Sequence, residues 1–406
     1  MVSLLASNKL IYFIVVLSIF LKVAVLSFLG PQPFLDGQWY ISTAEYIYNS
    51  GFIYPRDELK DAPLTPYFYS MFVPLSKVIG NNAYALGNII LATASIVIFS
   101  KISLLIFNSR KIANITALIS CIYPFFNFYS ISILTETLYI FFLYLSFYYF
   151  IIFLREKRLF HIALFAVFFA LDTLTRFSNL AMFPFFVLLL IVLQYRSKET
   201  IKTIVSSVAI GSLAFVTVMS IWWTRNYFIF GEFVATSKGE SGKVFYSGNN
   251  PRNNSGGGIG GTDVDFNQFI HIKDPVLRDK AMWKAGIDWI KNNPNDWLKL
   301  EFKKLIRFYK LTIHAEQYQA WYYKVLSIFS YGIVFILSIY SLFVFRQYLW
   351  KCSPMILYTF LLTGVHLVFI ASVRYRLPIE PFMIILAAPV IHLLFSKFVW
   401  SSNETI

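Results

Sequence analysis

The sequence predicts an α-helical polytopic membrane protein with about ten transmembrane helices, an outer-face loop after the first span and one long mixed segment on that same face. Three observations lead there. Of the 406 residues, 57% are hydrophobic, 19% aromatic and only 14% charged, and the mean hydropathy is +0.62, as expected of a chain solvated mostly by lipid. Apolar runs long enough to cross about 30 Å of hydrocarbon as helices recur from end to end. Every second connection between those runs carries a short cluster of Lys and Arg.

In chain order the runs fall near 10–29, 83–107, 113–133, 134–154, 159–175, 178–195, 203–223, 326–345, 353–372 and 380–398. The first, behind Lys9, is about 20 residues long and lacks a small-residue cleavage site, so a retained span is expected rather than a cleaved signal. The basic clusters are Arg110 and Lys111, then Arg155, Lys157 and Arg158, then Arg196, Lys198 and Lys202, then Arg346 and Lys351, with Lys9 and Lys397 near the two ends. By the positive-inside rule these connections are cytoplasmic, which puts 30–66 and 224–325 on the opposite face. The expected organisation is a transmembrane catalytic module over 1–223 containing the first outer loop at 30–66, an extracytoplasmic segment with amphipathic helices over 224–325, and C-terminal transmembrane helices over 326–406.

A net charge of +14 raises the question of nucleic acid, yet the basic residues are spread over short turns and the long outer segment, and no nucleic-acid module is visible. Anionic lipid is the simpler partner. Cys121 and Cys352, the only cysteines, fall towards opposite faces of the expected topology, too far apart for a disulfide, and read as buried apolar residues.

Within the outer segment, the glycine- and asparagine-rich stretch from Gly248 to Gly261 reads as a mobile loop. Gly256, Gly258 and Gly261 match the dinucleotide fingerprint in form only, since no strand precedes them and no helix follows at once. Pro275 to Trp289 reads as a helix, and Asn293-Pro294 starts a second one. There Leu298, Phe302, Leu305 and Tyr309 form one stripe while Lys299, Lys303, Lys304, Arg307 and Lys310 line other faces, as in a helix lying on a membrane surface or packed on a small outer domain. Phosphate-loop, HExxH, CxxC and GxSxG motifs are absent, and His161, His271, His314, His366 and His392 lack metal-ligand spacing.

Charges are scarce in the spans but gather where helices reach the outer face: Asp36, Glu45, Glu136, Asp172, Arg176, Arg225, Arg374, Arg376 and Glu380. Such a set implies mutual pairing or a polar cavity opening outwards. Asp36 stands out, a few residues beyond the first apolar run. A carboxylate base with arginines to hold a leaving phosphate suits group transfer from a phosphate-linked lipid donor.

In order and spacing, several short pieces resemble membrane glycosyltransferases of the GT-C type, particularly the protein O-mannosyltransferase-like and aminoarabinose-transferase-like bacterial branch. They are Asp36-x-x-x-Tyr40-x-x-x-Ala44, Pro63-x-x-Pro66-Tyr67, Thr135-Glu136-Thr137-Leu138-Tyr139 after Pro124, Leu174-Thr175-Arg176, Trp222-Trp223-Thr224-Arg225-Asn226-Tyr227, Gly248-Asn249-Asn250-Pro251, Asn293-Pro294 ahead of Lys303-Lys304, and Arg374-Tyr375-Arg376-Leu377-Pro378. The resemblance implies a polyprenyl-phosphate sugar donor, an extracytoplasmic site in a bacterial inner membrane, and Asp36 as the general base of an inverting transfer. It implies donor-phosphate contacts from Arg225, Arg374, Arg376 and Arg176, with Glu136, Glu45 and Tyr40 in acceptor-binding or supporting roles. No cofactor is implied for certain and a divalent metal is left open, as is the choice among glycan, lipid and protein acceptors. The chain departs from the O-mannosyltransferase pattern in having Gly37 after Asp36 in place of an Asp-Glu pair. A transporter or lipid flippase, and a ligase moving a whole oligosaccharide, are the alternatives.

Overall fold

The computed structural model of this chain describes Leu5, Ser7 and residues 9–55, 62–236, 239–258, 263–313 and 318–401, so Gly261 and His314 lie outside the described residues. Seven helices there are long and apolar enough to cross a membrane. They are α1 (Leu10–Leu29), α5 (Asn82–Phe107), α8 (Glu136–Glu156), α10 (Phe183–Arg196, continuous with a short 3-10 turn from Phe177), α11 (Ile201–Phe230), the run formed by α15 (Trp321–Ser327) and α16 (Ile333–Val344), and the run from α18 (Val373–Arg376) into α19 (Glu380–Ser401). A bent pair is long and apolar enough only when taken together: α6 (Arg110–Ile122) and α7 (Pro124–Ile131) meet at 54°. Pro124 brings no N–H to the ladder, which bends an otherwise continuous apolar run.

Two further apolar helices, α9 (Leu159–Thr173) and α17 (Ser353–Val368), take the remaining predicted positions. At 15 and 16 residues they are roughly 22–24 Å long at 1.5 Å per residue, shorter than a full hydrocarbon crossing. The chain is a multi-pass membrane protein. Successive helices alternate in direction, so the starts of α2 (Leu35–Asn49) and α8 share one end of the bundle with the ends of α9 and α17. The opposite end carries the basic clusters, where Lys157 pairs with Glu199 at 3.2 Å and Lys351 donates to the Ile106 carbonyl at 3.2 Å.

The core is aromatic. Phe147, Phe150, Phe165, Phe169 and Phe186 interlock between α8, α9 and α10, and Phe183 stacks on Phe215 of α11 with ring centroids 3.8 Å apart. Cys121 and Cys352 are both buried and free. Between α1 and α5 come α2 and two short helices, α3 (Leu64–Ser70) and α4 (Val73–Ile79).

After α11, three helices form the outer segment: α12 (Ser241–Gly248), α13 (Pro275–Asn292) and α14 (Pro294–Phe308). Two expectations are corrected here. The stretch from Gly248 to Gly258 is anchored, with Asn249, Asn250 and Asn253 buried and their side-chain amides bonded to carbonyls, while Pro251, Arg252, Asn254 and Ser255 between them are exposed. On α14 the buried face is Leu300, Lys304 and Phe308, whereas Leu298 and Phe302 of the predicted apolar stripe are exposed. The helix therefore turns a lysine inward, for a reason its partners make plain below.

Candidate active site

Asp36 is the second residue of α2, where the unpaired N–H groups of a helix start favour a carboxylate. Its approach to α8 is set by backbone contacts. Gly30 turns the chain after α1 with φ +69°, and Gln32 then pairs with Ser132 in the one isolated β-bridge among the described residues. Gln32 N–H donates to the Ile131 carbonyl at 3.0 Å, and Ile133 N–H donates to that of Gln32 at 3.1 Å. Gly37 then lies so close to Ile133 that a Cβ there would stand 2.4 Å from its carbonyl oxygen. From the other side Asn88 donates to the Ser132 carbonyl at 2.8 Å and Tyr69 to that of Leu134 at 2.9 Å. The segment 131–135 is thereby held from α2, α3 and α5, and Glu136 follows it as the first residue of α8.

Four charges meet there in alternating sign. Arg374 Nη1 lies 2.9 Å from Asp36 Oδ2, its Nε donates to Glu136 Oε1, and that same oxygen accepts from Arg176 Nη2 at 2.5 Å. Glu136, at the centre, is wholly buried, while the side chains on either side of it are partly exposed: 16% for Arg176, 26% for Arg374 and 54% for Asp36 at the outer end. A buried carboxylate survives such a place because two guanidiniums compensate it. Arg176 is braced further, with Nε donating to Thr135 Oγ1 at 3.0 Å and its guanidinium 5.0 Å from the Tyr139 ring centroid and 5.8 Å from that of Tyr375. Beneath it the Tyr139 hydroxyl donates to Asn179 at 2.9 Å, and Asn179 donates to the fully buried Asp172. Asp172 supports the site from below.

Arg374 owes its position to the outer segment. Lys304 Nζ donates to the Leu367 carbonyl at 2.7 Å, to Asn249 Oδ1 at 3.2 Å and to Glu301 at 2.7 Å, and Arg307 Nε donates to the Ala371 carbonyl at 3.0 Å. Asn249 donates to the Val368 carbonyl at 2.8 Å, and Gly248 leaves room for the Phe369 carbonyl, 1.7 Å from where a Cβ would be. Burial pushes the Lys304 ammonium below its ordinary pKa while Glu301 pulls it back up. These bonds clamp residues 367–371 immediately before α18, which explains the inward lysine.

The other predicted site residues lie apart from the cluster. Arg376 is 1% exposed, pairs with Glu380 at 2.8 Å, donates to the Lys310 carbonyl at 2.5 Å and sits 3.4 Å from the Tyr331 ring centroid. Arg225 donates to the Pro55 carbonyl at 2.5 Å and packs over Trp222 and Tyr54, tying the first loop to α11. Of the four arginines expected at the donor phosphate, Arg225 and Arg376 thus make packing contacts away from the cluster, while Arg374 and Arg176 belong to it. Tyr40 is a core residue of α2 beside Tyr69 and Tyr84, and Glu45 is exposed two and a half turns beyond Asp36. The spacing of Arg376 and Glu380, one helical turn apart, was the available signal for their pairing.

Among the described residues no three His, Cys, Asp or Glu side chains gather to hold a metal ion. Asp36 and Glu136 are each bonded to Arg374, so the two carboxylates of the cluster face cations of the chain itself. What the arrangement offers is an exposed carboxylate able to accept a proton, next to two guanidiniums able to hold an anion.

No family model matches the sequence, and no curated protein matches it. Solved structures do. The apo crystal structure of the Archaeoglobus fulgidus oligosaccharyltransferase aligns with a TM-score of 0.60 at 10% identity, over 98% of this chain and 52% of that one. AglB, the oligosaccharyltransferase of the same archaeon in complex with an inhibitory peptide and a dolichol-phosphate, aligns at 0.54 and 9% identity over 98% and 52%. The enzyme tethered to an acceptor peptide containing the NVT sequon aligns at 0.51 and 10% over 96% and 50%. This chain spans about half the length of those structures. It is a multi-pass α-helical protein with the GT-C-like fold that they share.

Proposed function

We propose that the protein is a membrane glycosyltransferase moving a sugar from a polyprenyl-phosphate-linked donor to an acceptor at the extracytoplasmic face of a bacterial inner membrane. The observation that carries this reading is the exposed Asp36 carboxylate set against Arg374 and Arg176 at the end of the bundle away from the basic clusters. Asp36 takes the proton of an acceptor hydroxyl or amine. The acceptor atom bonds to the anomeric carbon, with inversion, as the bond from that carbon to the phosphate oxygen breaks. The phosphate leaves with the bonding electrons, and the two arginines balance its charge. Nucleotide sugars are cytosolic, so a site on the outer face needs a donor already anchored across the bilayer. The positive-inside pattern supports that orientation, and the fold likeness to an enzyme whose complex holds a dolichol-phosphate supports the donor class. The narrower placement in the O-mannosyltransferase-like and aminoarabinose-transferase-like branch rests on the sequence motifs.

A second reading, an oligosaccharide ligase, is favoured by the likeness to oligosaccharyltransferases in particular. Donor length separates the two. Purified protein in liposomes is given radiolabelled polyprenyl-phosphate monosaccharides, hexose and pentose, beside a lipid-linked oligosaccharide, with and without chelator and beside Asp36→Asn. Asp36-dependent release from a monosaccharide donor supports the transferase and names its sugar. Release from the oligosaccharide alone supports the ligase, and release from neither by folded protein favours a transporter.

A further inference from the structure

Asp36 and Arg374 occupy one another. Asp36 Oδ2 is taken up by Arg374 Nη1, and Arg374, bonded to two carboxylates, has those N–H groups turned away from a phosphate. We infer that Glu136 is a positioning residue that pivots Arg374, and that an arriving donor phosphate draws the outer N–H groups of Arg374 off Asp36, so that donor binding releases the base. This rests on the transferase reading above.

The two ends of the Arg374 guanidinium differ in kind. Its Nε is turned inward to Glu136, which is wholly buried, while Nη1 is turned outward to a carboxylate that is more than half exposed. The inner bond lies where water cannot compete, and the outer one lies where water and salt weaken it. Glu136 cannot follow the arginine outward, because the same oxygen holds Arg176, itself braced by Thr135, Tyr139 and Tyr375. An arginine presents five N–H donors in a flat fork that matches two phosphate oxygens at once. Arg374 can therefore exchange one outer contact for a two-point grip while its inner bond stays made. Charge points the same way, since two acids and two arginines cancel and the resting cluster offers an anion no surplus cation until the outer pair opens. Binding order follows: donor first, then acceptor.

The test is a double-mutant cycle on binding of undecaprenyl phosphate to the full chain in nanodiscs, with size exclusion and thermal melting to confirm folding. Asp36→Asn is expected to tighten binding about fivefold to tenfold, within the range of residues coupled in one ion-pair network. Arg374→Gln is expected to weaken it, and adding Asp36→Asn to Arg374→Gln is expected to give no gain. Glu136→Gln, which removes the pivot, is expected to abolish the gain as well. Should Arg374→Gln not fold, Arg374→Lys, which keeps the charge without the fork, takes its place and should show a reduced gain. An equal gain with and without Arg374 would mean that Asp36 merely repels phosphate, and a weaker-binding Asp36→Asn would likewise overturn the exchange. If wild type and the Arg374 variant bind undecaprenyl phosphate equally, or neither binds it, the donor-phosphate reading fails instead.

Discussion

Arg374 Nη1 lies 2.9 Å from Asp36 Oδ2 although 338 positions separate them in the chain. The contact joins the entry to the last membrane run with the helix that follows the first, and it places the most exposed acid of the cluster beside its anion-binding candidates.

Asp36→Asn keeps size and shape and removes the base. Transfer is expected to fall about 10²–10⁴-fold, the usual contribution of a positioned acid or base, while insertion and melting temperature stay close to wild type. Sugar release from the labelled donor is the measurement, and near-normal turnover would remove Asp36 from the chemistry.

Arg176→Lys keeps the charge and loses the fork over Glu136 and Thr135. Removing one preorganised contact to developing charge typically costs about 2.7–4 kcal/mol of barrier, or about 10²–10³ in kcat. Single-turnover kinetics at saturating donor would show it, and a change confined to KM would assign Arg176 to ground-state binding.

Arg376 makes the opposite prediction. Arg376→Met leaves Glu380 buried and uncompensated, at a cost of about 3–5 kcal/mol. The expected signature is a large fall in melting temperature, with the folded remainder still active. Adding Glu380→Leu should restore part of that stability, which a phosphate-binding role would not explain.

Gly37→Ala puts a methyl carbon 2.4 Å from the Ile133 carbonyl oxygen. Relief requires α2 to move, at about 1–3 kcal/mol by the cost of overpacking, and Asp36 moves with it. Activity per folded molecule should drop, whereas Gly364→Ala, where open space surrounds the position, should be silent.

Helix positions were legible because lipid imposes one rule on every span, a long apolar run. The bend at Pro124 was hidden, since apolarity continues across it. Asp36, Glu136, Arg176 and Arg374 were legible as charges at the ends of such runs. Their sorting from Arg225 and Arg376 was not, because the distinction lies in partners: Pro55 lies 170 positions before Arg225, and Tyr331 covers Arg376 from another span. The Gly248 to Gly258 stretch misled for the same reason. Asn249 finds its carbonyl 119 positions away, and a local reading sees only residues that favour loops.

The clamp of Lys304 and Arg307 on residues 367–371 has a practical corollary. The segment between α11 and α15 cannot be exchanged for another as if it were a separate surface. A transplant that ignores those two side chains would unbolt Arg374 along with the old surface, so an inert chimera would report a dismantled charge cluster as readily as a wrong new surface.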